Sequence, residues 1–153
     1  HPVAHSFPTR RSSDLMGDVG WRDDKGRIWF CGRKGHRVKT KRGTLFTIPC
    51  EAIFNRHPAV FRSALVGVGP ADRRKPVICI EPGKKLSAPR RARLRVELLE
   101  LARSSPVTEP IETVLFHPDF PVDIRHNSKI FREKLAVWAE KKVKRMPKMN
   151  QNA

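Results

Sequence analysis

Two apolar runs, Ser63-Ala-Leu-Val-Gly-Val-Gly69 and Pro76-Val-Ile-Cys-Ile80, constrain the chain most. Each is too short for a buried helix and is bracketed by turn residues, which reads as a buried strand. The polar segment Pro70-Ala-Asp-Arg-Arg-Lys75 joins them as a hairpin. Such a pair needs cover, and the flanking sequence supplies it. Thr47 to His57 reads as a short helix, with Thr47 as cap, Pro49 tolerated in the first turn and Pro58 ending it. A second helix starts at Ser87-Ala-Pro89; Leu94, Leu98, Leu101 and Ala102 form its buried face, and Arg90, Arg91, Arg93, Arg95 and Arg103 lie off it. Ile111 to Phe116 is a third core strand. The fold class is α+β, an antiparallel or mixed sheet of about three strands covered by helices, with a small β-hairpin lobe in front of it.

That lobe begins with Gly17-Asp-Val-Gly20 and the polar turn Trp21 to Gly26. Arg27 to Cys31 is a strand by its aromatic and β-branched content, Gly32-Arg-Lys-Gly-His-Arg37 is a basic loop, and Val38 to Thr40 is the expected returning strand. Arg33 and the loop amides suit a phosphate, although the spacing is not that of a nucleotide P-loop and a plain hairpin tip explains it equally. At the other end, Phe120 to Leu135 opens as a turn with Pro121 and Asp123. Asn127 or Ser128 can cap a helix whose stripe is Phe131, Leu135, Trp138 and Ala139. This places Lys129 in the first helical turn, where a cation opposes the helix dipole unless an anion sits beside it. The bland alternative is a solvated lysine. His36, His57, His117 and His126 have no carboxylate at a diagnostic spacing, and His117 and His126 read as turn residues.

The formal charge of +17 attracts polyanions, whether nucleotides, nucleic acid or an acidic surface. Cys31, Cys50 and Cys79 lack a C-x-x-C spacing and read as free buried thiols of a reducing, cytoplasmic environment. A zinc or other metal site is not expected. No apolar run reaches the length of a membrane span, and no secretory segment is visible. Phe7 to Leu15 resembles a translated sequencing adapter, so residues 1–15 read as an artefactual tail without strand or helix periodicity. Removing them lowers the charge only to +16, because Arg10, Arg11 and Asp14 leave together.

Three motifs in order resemble the C-terminal portion of the adenylate-forming superfamily of acyl-CoA synthetases, acyl-AMP ligases and luciferase-like enzymes, over about Gly17 to Val143. Gly17-Asp18-x-Gly20 with Asp24-x-Gly26 resembles the end of the family's large N-terminal domain, which implies that Asp18 grips the ribose of ATP. Gly32-Arg33 after a strand resembles the hinge motif, which implies that Arg33 holds the nucleotide and that the domains pivot about Lys34 and Gly35. The lysine after the C-terminal turn, Lys129, falls where the family has its catalytic lysine. Departures are Gly35 at a hinge position often occupied by aspartate or lysine, Ser128 for the glycine before the lysine, and Pro49 for the first of two glutamates, the second surviving as Glu51. The run Val122 to Leu135 is closer to the olefin-biosynthesis β-lactone synthetases and their fatty acyl-ligase neighbours.

The resemblance implies residues 16–34 as the end of the N-terminal domain and hinge, 35–143 as the mobile C-terminal domain, and 144–153 as a disordered tail. It implies ATP with Mg, bound mostly by a missing N-terminal domain, a fatty acid substrate that can be a 3-hydroxy acid, and either coenzyme A or an internal hydroxyl as second acceptor. The phosphate-gripping loop and acyl pocket lie upstream in the family, so the chain reads as truncated and inactive alone. Two rivals compete with this reading. One is a small basic nucleic-acid-binding module, favoured by the charge but lacking helix-turn-helix, zinc-finger or aromatic RNA-binding signatures and any Tyr. The other is a stand-alone interaction lobe starting at Met16.

Overall fold

The computed structural model describes the backbone of Ser13–Leu15 and residues 17–126 and 129–146. Its centre is a mixed sheet in the order β6-β7-β8, with β6 at Val60–Val68, β7 at Lys75–Pro82 and β8 at Thr113–Phe116. β6 and β7 are the expected antiparallel hairpin, with Leu65 opposite Ile78 and Val66 opposite Val77. β8 runs parallel to β7, Val77 opposite Thr113 and Ile80 opposite Phe116. A parallel neighbour needs a crossover, and helix α2 at Ala88–Arg103 provides it. The Ser87 hydroxyl caps α2 by accepting from the Arg90 amide.

Both faces of this sheet are buried, which is why its strands are continuous apolar runs rather than alternating ones. One face, with Leu65, Ile78, Ile80 and Val114, packs on Cys50 and Phe54 of helix α1 (Thr47–Phe54) and on Leu94, Leu98 and Ala102 of α2. The other, with Ala64, Val66, Val77, Cys79 and Leu115, packs on Leu135, Ala139 and Val143 of helix α3 (Arg132–Arg145) and on Phe120. The three cysteines are free and buried. Burial pushes the Cys31 thiol up to about 11 and Cys79 to about 12, so both are protonated at neutral pH.

The amino-terminal lobe differs from expectation in its pairing. β3 (Ile28–Arg33) does not pair with Val38–Thr40; it pairs with β2 (Asp18–Arg22), so the two segments flank the turn at 23–27. Asp23 builds that turn by accepting from the Lys25 and Arg27 amides, both at 2.9 Å, and from the Trp29 indole at 3.0 Å. The missed signal was period two in Asp18–Arg22: Val19 and Trp21 point inward and, with Cys31 and Phe46, make a small separate core. Ser13–Leu15 adds a short strand β1 to β2, because backbone pairing does not require a side-chain pattern. β4 (Val38–Thr40) pairs with β5 (Gly43–Leu45). Thr47 is the first residue of α1 rather than its cap, a place taken by Phe46 without a side-chain hydrogen bond. Among the described residues no helix is long and apolar enough to cross a membrane.

Candidate functional site

Gly32 sits at φ +124°, and a Cβ there would collide with Thr47 Oγ1. Glycine is therefore required where β3 lies against the start of α1, and this fixes the next residue, Arg33, on the surface. Arg33 faces Asp18 across β2–β3, its Nε 3.8 Å from Asp18 Oδ1. Both side chains are about half exposed, so the pair is worth no more than about 1 kcal/mol and leaves the guanidinium able to take another anion. The chain then turns through a 3-10 segment, Lys34–His36, whose first amide donates to the Gly17 carbonyl at 2.7 Å. Gly35 is exposed, and a side chain there would meet nothing.

Lys129 is not in a helix. It lies in β10 (Lys129–Ile130), paired antiparallel with β9 (Val122–Asp123) so that Lys129 stands opposite Asp123. α3 starts only at Arg132, with Phe131 as its cap residue and the Phe131 amide donating to the Pro121 carbonyl at 2.8 Å. Outside the helix, Lys129 meets no opposing dipole, and the dipole gives no reason for an anion beside it. The candidate caps Asn127 and Ser128 lie outside the described residues. Asp123 organises the turn instead: it accepts from the Arg125 amide at 3.0 Å and from His126 Nδ1 at 2.6 Å. The His126 bond, with smaller help from the Arg125 amide and side chain and the Lys129 charge, holds its carboxyl below the usual range.

These segments meet. Arg33 and His36 from one side, and Asp123, His126, Lys129 and Glu133 from the other, line one open cleft of about 410 Å³. The Lys129 side is held from behind by an ion pair that spacing did not reveal. Arg132 donates to both carboxylate oxygens of Glu51, at 2.6 and 2.8 Å, and Glu51 also accepts from the Leu65 amide at 2.8 Å. A fork of this kind ties α3, α1 and β6 together three residues beyond Lys129. His36 Nε2 lies 3.5 Å from Glu133 Oε1, His57 is 3.6 Å from a Glu97 oxygen, and His126 is bound to Asp123. Three of the four histidines thus have carboxylate neighbours, two of them brought together only by folding. Burial and the Arg132 charge hold the His36 imidazolium pKa down, against Glu133. Among the described residues no cluster of His, Cys, Asp and Glu could hold a metal ion.

An open cleft where one strand end carries an arginine and another an ammonium can hold an anionic ligand between them. The chain is 52% identical over 124 residues to the olefin beta-lactone synthetase of Xanthomonas campestris pv. campestris, covering 81% of this chain and 22% of that protein. It is 50% identical over 126 residues to the olefin beta-lactone synthetase of Stenotrophomonas maltophilia, with the same coverage. An acetyl-coenzyme A synthetase of Pyrobaculum arsenaticum is 35% identical over 99 residues, 63% of this chain and 15% of that one. The fold matches the anthranilate CoA ligase AuaEII, solved in complex with anthranoyl-AMP, with a TM-score of 0.66 at 22% identity over 84% of this chain and 25% of that chain.

In sequence the chain is akin to olefin beta-lactone synthetases, and in fold to adenylate-forming ligases.

It has the fold of their C-terminal domains. No family model matches the chain. It spans about 22% of the length of the β-lactone synthetases it matches. Among the adenylate-forming ligases in this fold class is the O-succinylbenzoate coenzyme A synthetase of Bacillus subtilis, solved with AMP, with a TM-score of 0.62 at 18% identity over 78% of this chain and 23% of that one. This likeness does not favour the nucleic-acid module.

Proposed function

We propose that the chain is the mobile C-terminal lobe of an ATP-dependent, AMP-forming ligase that activates a fatty acid, with 16–34 as the end of the preceding domain and hinge and 35–143 as the lobe. The observation that carries this is the shared cleft. Arg33 and Lys129, 96 positions apart in sequence, line one open surface at the segment where the two domains would join. Lys129 is exposed, as a group must be if it is to reach a nucleotide held by another domain.

In the proposed reaction a carboxylate oxygen attacks the α-phosphorus of Mg-ATP, forming acyl-AMP and releasing pyrophosphate. Lys129 bridges the carboxylate and phosphate oxygens as a compact point charge, and Arg33 with Asp18 holds the nucleotide ribose. Magnesium arrives with the ATP phosphates. Lys34 and Gly35 form the pivot about which the lobe turns. A side chain at Gly35 would meet nothing in the conformation described, so the backbone there has room to turn when the lobe rotates. The relatives at half identity, named olefin beta-lactone synthetases, favour a 3-hydroxy fatty acid whose own hydroxyl attacks the acyl carbonyl and expels AMP, over coenzyme A as acceptor.

The test uses the longer protein that contains this chain, supplied with a 3-hydroxy fatty acid and Mg-ATP. β-Lactone, AMP and pyrophosphate formed without coenzyme A is the expected result. A strict requirement for coenzyme A would overturn the choice of acceptor, and absence of pyrophosphate from any fatty acid would overturn the ligase itself. The isolated 153-residue chain should show no ATP–pyrophosphate exchange.

A further inference from the structure

The charge of +17 exceeds what one nucleotide needs, and part of the surplus is gathered away from the Lys129 cleft. A groove of about 930 Å³ opens at the end of the sheet where β7 and β8 finish, and it shares no lining residue with that cleft. Lys84 and Lys85 stand on the β7–α2 connection, Arg91 and Arg95 one turn apart on α2, and Lys142 on α3. Among the described residues the one carboxylate in the lining, Glu81, is already bound to Arg62 at 2.8 Å and to the Phe120 amide at 2.8 Å. Among the described residues five cations therefore share a concave surface without a free counter-charge in its walls, and Arg95 is partly desolvated and feels the charge of Arg91.

The floor is apolar, with Leu86, Leu115, Phe116 and Trp138. Its rings are not open platforms. The Arg95 guanidinium lies 5.1 Å from the centre of Phe116, and Lys142 lies 5.9 Å from that of Trp138, against whose ring His117 also packs at 4.6 Å. At the rim, Arg62 lies 5.1 Å from the Phe61 ring. Phe61 at the rim is 64% exposed, but the floor rings Phe116 and Trp138 each carry a cation over one face, and cations fixed over rings are preorganised to receive carboxylates. Concavity disfavours a flat lipid surface. The terminal segments 1–12 and 147–153 contain no Asp or Glu, so they cannot supply the complement.

We infer that this groove docks an acidic, amphipathic protein segment, with carboxylates on the cationic rim and an apolar side chain on the Leu86–Phe116 floor. The site is independent of the ligase chemistry. It stands or falls without the Lys129 cleft.

The test is fluorescence anisotropy with the 153-residue chain and a labelled helical peptide of about four turns that carries Glu at i and i+4 and Leu on the same face. Saturable binding should weaken at least about tenfold in Lys85→Glu/Arg91→Glu, about 1.4 kcal/mol. Lys84→Glu/Lys85→Glu, which spares the Arg91 bond to the Leu86 carbonyl, should weaken it similarly. Lys41→Glu/Arg42→Glu makes the same charge change at the β4–β5 turn and should leave affinity within about twofold, the screened remainder of a distant charge. Equal losses in all three variants would overturn the site, as would undiminished binding of a Leu→Ser peptide. Tighter binding of oligo(dT) or of phosphatidylserine vesicles than of the peptide would reassign the groove to nucleic acid or membrane and refute the proposal.

Discussion

The two sides of the Lys129 cleft's supporting structure are built to different standards. Behind it, Glu51 is buried against α1, β6 and α3, accepting from a backbone amide and from both terminal nitrogens of Arg132. In front, Lys129 rides on a ladder two residues long, opposite Asp123, with its side chain exposed. A strand pair that short adds little stability, so the loop is held in place mainly by what flanks it: the Arg132–Glu51 fork on one side and the Phe131 amide on the Pro121 carbonyl. The difference teaches that the anchor and the group proposed to do the chemistry are separable. The fold spends its buried polar contacts on placing the start of α3 and leaves the ammonium free to act elsewhere.

If that separation is real, substitutions on the two sides should differ in kind. The largest effect is expected at the anchor. Glu51→Ala strands the Arg132 guanidinium and the Leu65 amide, and urea denaturation should show a loss of about 3–5 kcal/mol. A loss below about 1 kcal/mol, the worth of a surface pair, would break the comparison. Gly32→Ala comes next: strain at φ +124° and collision with Thr47 should cost about 1–3 kcal/mol by thermal melting.

A smaller effect should follow pH. His36 and His117 are both held below the ordinary histidine value, chiefly by burial, so their protonated forms are disfavoured in the fold. The unfolded chain then takes up protons first as pH falls through about 6.5, and stability should decline from there toward the lower folded values. At His36 the facing charges are Arg132 and Arg33, which lower its pKa, and Glu133, which raises it without reversing the shift. His36→Gln should flatten that decline when urea midpoints are compared between pH 7.5 and 5.5. An unchanged slope would show that the imidazole is not desolvated. The smallest effect belongs to the surface pair: Asp18→Asn should change stability by less than about 1 kcal/mol.

Sequence and structure agree where a segment's own pattern decides its fate. The β6–β7 hairpin and the buried face of α2 were legible because uninterrupted apolar runs and a 3.6-residue stripe each admit one solution. Leu101 was the exception within that stripe; it is only partly buried, since α2 turns its Leu94–Leu98–Ala102 edge to the sheet. The Lys129 region was misread because a cap signal and a turn signal use the same residue types. Asp123 spends its oxygens on Arg125 and His126, which closes the chain into a ladder and delays the helix to Arg132. Glu51 was visible as a residue and invisible as a contact. Its partner lies 81 positions away, and nothing local in either segment selects the other. The cleft had a similar status: Arg33 and Lys129 were each legible, but their meeting was decided by tertiary packing.

The most direct measurement is pyrophosphate release by the longer protein carrying Lys129→Ala, taken together with its melting temperature. The separation of anchor from working group predicts release lowered by at least about a hundredfold, the scale of losing a charge-stabilising donor, with the melting temperature unchanged. Wild-type release from that variant, or a loss of activity matched by a loss of folding, would contradict it.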